Sequence, residues 1–104
     1  MGNWRVGQTV TVFREAGVYA SHPSVEVLAD GDWLVAFNYT RRHPERLHPP
    51  EDPFYHNVIC RSRDGGRSWG VPEFVPGLDW YGVECPGLRQ LSDGTAVLNQ
   101  FRFR

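Results

Sequence analysis

The chain contains no lysine: all eleven of its positive charges are arginines. Arginine suits planar, bidentate capture of carboxylates, although a lineage bias in composition accounts for the same absence. There is no excess of either charge. The net charge is −1, which gives no electrostatic case for nucleic acid or a membrane surface as partner. No apolar run is long enough to cross a bilayer. The opening "MGNWRVGQTV" lacks the apolar core of a signal peptide, so a cytoplasmic location is predicted. Cysteine is scarce. Cys60 and Cys85 make no disulfide framework and match no zinc spacing, and both are expected to be free buried thiols. Helical periodicity is almost absent.

What remains is the signature of a small all-β chain. Its 104 residues, 40% apolar and 22% charged, suit a soluble globular domain. "TVTVF" (Thr9 to Phe13) alternates as a strand should. "SVEVL" (Ser24 to Leu28) alternates again, meets the turn signal "ADGD", and leads into "WLVAFNY" (Trp33 to Tyr39). A charged, proline-rich loop follows over 41–55. "NVICRS" (Asn57 to Ser62) reads as a third strand and "GVPEFV" (Gly70 to Val75) as a fourth. A last hairpin is predicted over Leu88 to Leu91 and Ala96 to Phe103, around "SDGT".

An internal repeat sets the architecture. "HPSVEVLADGDWLVAFNYTR" (His22 to Arg41) aligns without a gap over "CPGLRQLSDGTAVLNQFRFR" (Cys85 to Arg104), at an offset of 63 residues. Pro23 meets Pro86, Leu28 meets Leu91, and Asp30-Gly31 meets Asp93-Gly94. The first unit continues into a second hairpin. Four antiparallel strands per unit is the pattern of a propeller blade. The fold expected is therefore all-β, about one and a half four-stranded antiparallel blades: the first over roughly 18–76, the second opening at 81–104.

Between the third and fourth strands lies "SRDGGRSW" (Ser62 to Trp69). Asp64 can accept hydrogen bonds from the backbone of its own turn, and Ser62 can add a hydroxyl contact. Gly65 and Gly66 supply backbone angles that a side chain would forbid. Trp69 can pack across the hairpin. Every part serves the turn, so Asp64 is expected to be structural and not catalytic.

This S-x-D-x-G-x-x-W pattern resembles the Asp-box, or bacterial neuraminidase repeat, of the sialidase superfamily. The preceding "PSVEVLADGDWLVAFNYTRR" resembles the family's first blade as well. The resemblance implies a six-bladed propeller of bacterial source, of which this chain would be an N-terminal piece. The parent would be a glycoside hydrolase acting on terminal sugars, of the exo-α-sialidase type, and the isolated piece would be inactive. A glycan or other small carbohydrate is the implied ligand, and no cofactor or metal is expected.

Sialidases bind the substrate carboxylate with three arginines, the first in an R-I-P motif. Here "SHPS" puts His22 in that arginine's place, and an imidazole cannot reproduce a permanent bidentate guanidinium. The resemblance carries substrate contacts onto Arg41 and Arg42, and a general acid/base onto Asp52, with Glu51 as understudy. Such an acid must be held neutral near working pH. Glu84, opening the second blade, could contact a polar group of the ligand. Each of these could equally be an ordinary solvated side chain. Phe54, Tyr55, Trp80 and Tyr81 could form a stacking wall, though packing is the plainer reading. The family's tyrosine nucleophile and its glutamate would lie in later blades; Tyr39, Tyr55 and Tyr81 come too early.

Two other readings stay open. One is a non-catalytic Asp-box propeller that binds glycans or scaffolds. The other is a closed ring of several copies of this chain. For the isolated piece, uncovered strand edges and an uncovered blade face predict self-association.

Overall fold

The computed structural model describes residues 2–41, 56–75 and 83–102, with the side chains of 83, 84, 101 and 102 set aside. Six strands follow in order: β1 (Val18–Val27), β2 (Trp33–Arg41), β3 (His56–Ser62), β4 (Glu73–Phe74), β5 (Val83–Gln90) and β6 (Ala96–Arg102). The first four form an antiparallel meander in spatial order β1-β2-β3-β4, and β5 and β6 form a separate antiparallel pair.

The alternation of each strand decides what it faces. β2 is the central strand, and its stretch Leu34 to Asn38 is buried at every position. That continuous run reflects cover on both faces of the sheet. On one face Val35 and Phe37 meet their cross-strand partners Cys60 and Val58, and these four form the apolar core. On the other face Leu34 and Ala36 lie beside Asn38, which pairs with Asn57. Strand β5 packs over this second face, against β1, β2 and β3.

The stretch Thr9 to Phe13, expected as a strand, is not one. Alternation shows only that one side of a segment is apolar; a strand also needs a neighbouring edge to pair with. Here Val12 and Phe13 lie on the Val35–Phe37–Val58–Cys60 cluster. The ring of Phe13 stacks on Phe37 with centroids 5.5 Å apart. The segment covers a face, so no ladder forms.

The strands before the Asp-Gly turns run beyond the alternating stretches that mark them in the sequence: β1 spans Val18–Val27 and β5 spans Val83–Gln90. Proline cannot donate to a ladder, and a β-bulge carries each strand past it, between Ser21 and Ser24 in β1 and between Glu84 and Gly87 in β5. The fourth strand is shorter than expected, two residues, directly after Pro72.

The repeat read from the sequence extends to backbone detail. The two hairpins share one register: Ser21↔Asn38 and Val27↔Trp33 in the first become Glu84↔Phe101 and Gln90↔Ala96 in the second. His22 and Cys85 both adopt a left-handed backbone, φ 53° and 54°. Each precedes a proline, where extended backbone is the norm. In the turns, the Leu28 N–H donates to Asp32 O and the Leu91 N–H to Thr95 O, both at 2.8 Å. Asp30 and Asp93 accept from the backbone two residues on, both at 2.9 Å.

Candidate functional site

The turn between β3 and β4 is built from side-chain oxygens. Ser62 Oγ donates to Asp64 Oδ1 at 2.8 Å and accepts from the Gly66 N–H at 2.8 Å. Asp64 Oδ1 also accepts from the Ser68 N–H at 2.9 Å, and the Ser68 hydroxyl donates to Oδ2. Gly65 and Gly66 sit at φ 73° and 86°. A Cβ on Gly66 would lie 3.0 Å from the indole ring of Trp33. Trp69 packs on the core cluster, and its Nε1 donates to Gly66 O at 3.0 Å.

This network fixes the charge of Asp64. The hydroxyl and backbone N–H of Ser68, then Ser62, hold its carboxyl at about 2, below the ordinary 3.8. An acid that stays ionised at any working pH cannot protonate a leaving group. Ser68 occupies a position that the S-x-D-x-G-x-x-W pattern leaves open, so the pattern did not mark it as a partner of Asp64. Beside the box, Asp32 accepts from Arg61 at 2.9 Å and Arg63 at 3.3 Å, tying the two turns at this end of the sheet together.

Of the residues expected to meet a ligand, Arg41 lies at the other end. Trp33 pairs with Ser62, and β2 runs eight residues further to Arg41. That is roughly 27 Å at a strand's rise, so Asp64 and Arg41 do not share a cleft. Arg41 is exposed and lies 3.7 Å from Glu15, an ion pair worth ~0–1 kcal/mol. The Tyr39 hydroxyl donates to the same glutamate at 3.1 Å. Burial, then that hydrogen bond, pushes the phenol up from its ordinary value. It therefore stays protonated, the opposite of an activated nucleophile. His22 is exposed at the β1 bulge, its Nδ1 3.0 Å from Ser21 Oγ. His22 is a bulge residue midway along the strand and Arg41 a terminal one.

Arg42, Glu51, Asp52, Phe54, Tyr55, Trp80 and Tyr81 lie outside the described residues, as does the side chain of Glu84, whose backbone pairs with Phe101. Cys60 is a buried thiol, pushed up to about 11 by burial; Cys85, expected to be buried as well, is half-exposed.

A buried polar chain joins the two sheets. Asn38 and Asn57 are both 0% exposed. The Asn38 amide donates to Asn57 Oδ1, and the Asn57 amide donates to Gln100 Oε1 at 2.6 Å. Asn38 Oδ1 accepts from the Cys85 N–H at 3.4 Å. Further out, Leu88 N–H donates to Ser24 Oγ and Gln90 N–H to Glu26 Oε2. Side chains of the four-stranded sheet thus accept from the N–H groups of Cys85, Leu88 and Gln90 in β5. Sequence pattern gave no sign of this, because nothing local pairs an asparagine in one strand with another nineteen residues away.

No protein-family model matches the chain, and no curated protein matches it. A solved structure, described as that of a protein of unknown function from Dyadobacter fermentans, is similar to it, with 26% identity and a TM-score of 0.75. The similarity covers 89% of this chain and 26% of that one, so the chain spans about a quarter of the structure it matches. No helix among the described residues is long and apolar enough to cross a membrane.

Proposed function

We propose that these residues are the first one and a half blades of a sialidase-type Asp-box β-propeller, and that the longer parent hydrolyses a terminal sugar of a glycan. The observation that carries the reading is the coincidence at the 63-residue offset of register, bulge, left-handed residue and turn. The hydrogen-bonded Ser62–Asp64–Ser68 turn supports it. Size is consistent too. The aligned 89% of these residues makes up 26% of the similar structure, which is therefore on the order of 350 residues long, enough for about five or six such units.

In this reading the box end is the structural end, and the end bearing Arg41 takes the sugar. Arg41 and Arg42 contact the substrate, Asp52 is the acid/base, and His22 and Glu84 reach polar groups of the ligand. Arg41 gives up little to do so, since its present partner is an exposed glutamate. The 104-residue chain alone has no complete site and is inactive.

One observation favours a second reading, a propeller that binds glycans without cleaving them. His22, in the place of the first carboxylate-binding arginine, sits on a bulge with a side-chain neighbour of its own. The test is a chain extended beyond Arg104, assayed with fluorogenic sialosides and by glycan binding. Turnover abolished by Asp52→Asn supports the hydrolase. Binding weakened by Arg41→Ala without turnover supports the second reading. A longer chain with neither property overturns both. Release of fluorophore by the 104-residue chain overturns the claim that it is inactive.

A further inference from the structure

Thr9 to Phe13 has the pattern of a strand and no ladder. Val10 and Val12 are half-buried, and Thr9 and Thr11 between them are exposed. The segment runs the length of the sheet face that carries Val35 and Phe37. At one end Glu15 meets Tyr39 and Arg41. Next to it Phe13 stacks on Phe37. At the other end Gln8 and Val10 share a groove with Trp33, Gly66 and Trp69. Gln8 to Glu15 thus covers in seven residues about the length that β2 covers in eight, from Trp33 to Arg41. Only an extended backbone reaches that far. Yet none of the backbone groups of Thr9 to Phe13 has a hydrogen-bond partner among the described residues.

An extended segment lying over the face of a sheet occupies the place of one strand in a second, facing sheet. A strand gains its stability from neighbours in its own sheet, and this one has two open edges. The room for a neighbour is on the β1 side. Val25 and Val27 belong to the same face as Val35 and are 57% and 52% exposed, whereas the cluster beneath the segment is buried. The opposite face of the four-stranded sheet is already taken by β5.

We infer that Thr9 to Phe13 is a strand of the last sheet of the longer parent, and that its ladder with that sheet closes the ring. The inference rests on the successive-unit reading above. In a ring of like sheets the first has two neighbours: the second, which is β5–β6 here, and the last. The last sheet must then pack on the Val35–Phe37 face, where the segment already lies. Its edge strand comes in over Val25 and Val27 and pairs with the segment. Backbone hydrogen bonds then hold the ring shut in addition to side-chain packing.

The test is residue-by-residue amide hydrogen exchange in the 104-residue chain and in the full-length parent. In the short chain the amides of residues 9–13 should exchange at close to the open-chain rate. In the parent, those on the paired edge should slow by about 100-fold or more. Thr11→Pro and Val12→Pro each remove one N–H, on opposite edges of the segment. In the parent, one of the two should abolish the slowing at neighbouring amides. The outer edge of β6 is the control. It has no strand beside it among the described residues, and the successive-unit reading gives it one in the parent. Slowed β6 amides with residues 9–13 still fast overturn the inference and leave that reading standing. Fast amides at both places overturn the reading, and the inference with it. Slowing at 9–13 that survives both proline variants marks cover without a ladder and overturns the inference alone.

Discussion

Gly65→Ala and Gly66→Ala should differ in cost although they are neighbours in one turn. Both glycines have left-handed backbones, φ 73° and 86°. An alanine at either position bears the steric penalty of that region, about 1–2 kcal/mol. At Gly65 nothing lies within 4 Å of a built Cβ, so the penalty stops there. At Gly66 the Cβ would come 3.0 Å from two ring carbons of Trp33. Ordinary carbon contacts are about 3.5–4.0 Å, and Trp33 is held between Val27 and Ser62 in the sheet. The ring or the turn must shift, which adds about 1–3 kcal/mol of overpacking. The assay is urea unfolding at fixed protein concentration. With a slope of ~1.5 kcal/mol/M, a 2 kcal/mol excess separates the two midpoints by about 1.3 M. Trp33→Val in the Gly66→Ala background removes the clash and leaves the backbone penalty. The cost of the alanine there should fall to that seen at position 65. Equal midpoints for the two single variants, or no relief from Trp33→Val, would refute the reasoning.

The Asp64 carboxyl is depressed to about 2, so its contribution to stability is complete above the ordinary value near 3.8 and is lost as pH falls toward 2. Asp64→Asn should flatten the acid limb of the stability–pH curve between those values, and Ser68→Ala should raise the Asp64 carboxyl in a ¹³C titration; an unmoved titration would remove Ser68 as the main cause. Asn57→Ala deletes both the acceptor of the Asn38 amide and the donor to Gln100 in a buried setting, and is expected to cost about 1–3 kcal/mol. A double-mutant cycle with Asn38→Ala should show coupling of at least ~0.5 kcal/mol, and strictly additive losses would count against a shared network.

The Asp-Gly turns at 30–31 and 93–94 and the Ser62–Trp69 box were legible because their chemistry is local. A short acidic side chain bonding its own backbone, followed by a glycine that tolerates positive φ, specifies a turn whatever packs on it. The repeat was legible for a similar reason, since matched turns and prolines recur along the chain. The bulges were not. A proline in an apolar run signals a strand end, and only the continued pairing of Val18–Ser21 with Asn38–Arg41 shows that the strand passes through it. Likewise Thr9 to Phe13 has a strand's pattern but a cover's role, because the alternation does not say whether an edge or a face awaits it.

By itself, then, the sequence determined the turns, the strand class and the repetition, all consequences of backbone chemistry acting over a few residues. Tertiary structure alone decided which faces meet: that β5 lies across the four-stranded sheet, that Asn38 and Asn57 are buried partners, and that Val25 and Val97 remain uncovered. Strand alternation fixes two faces but not their neighbours, and burial depends on the neighbour.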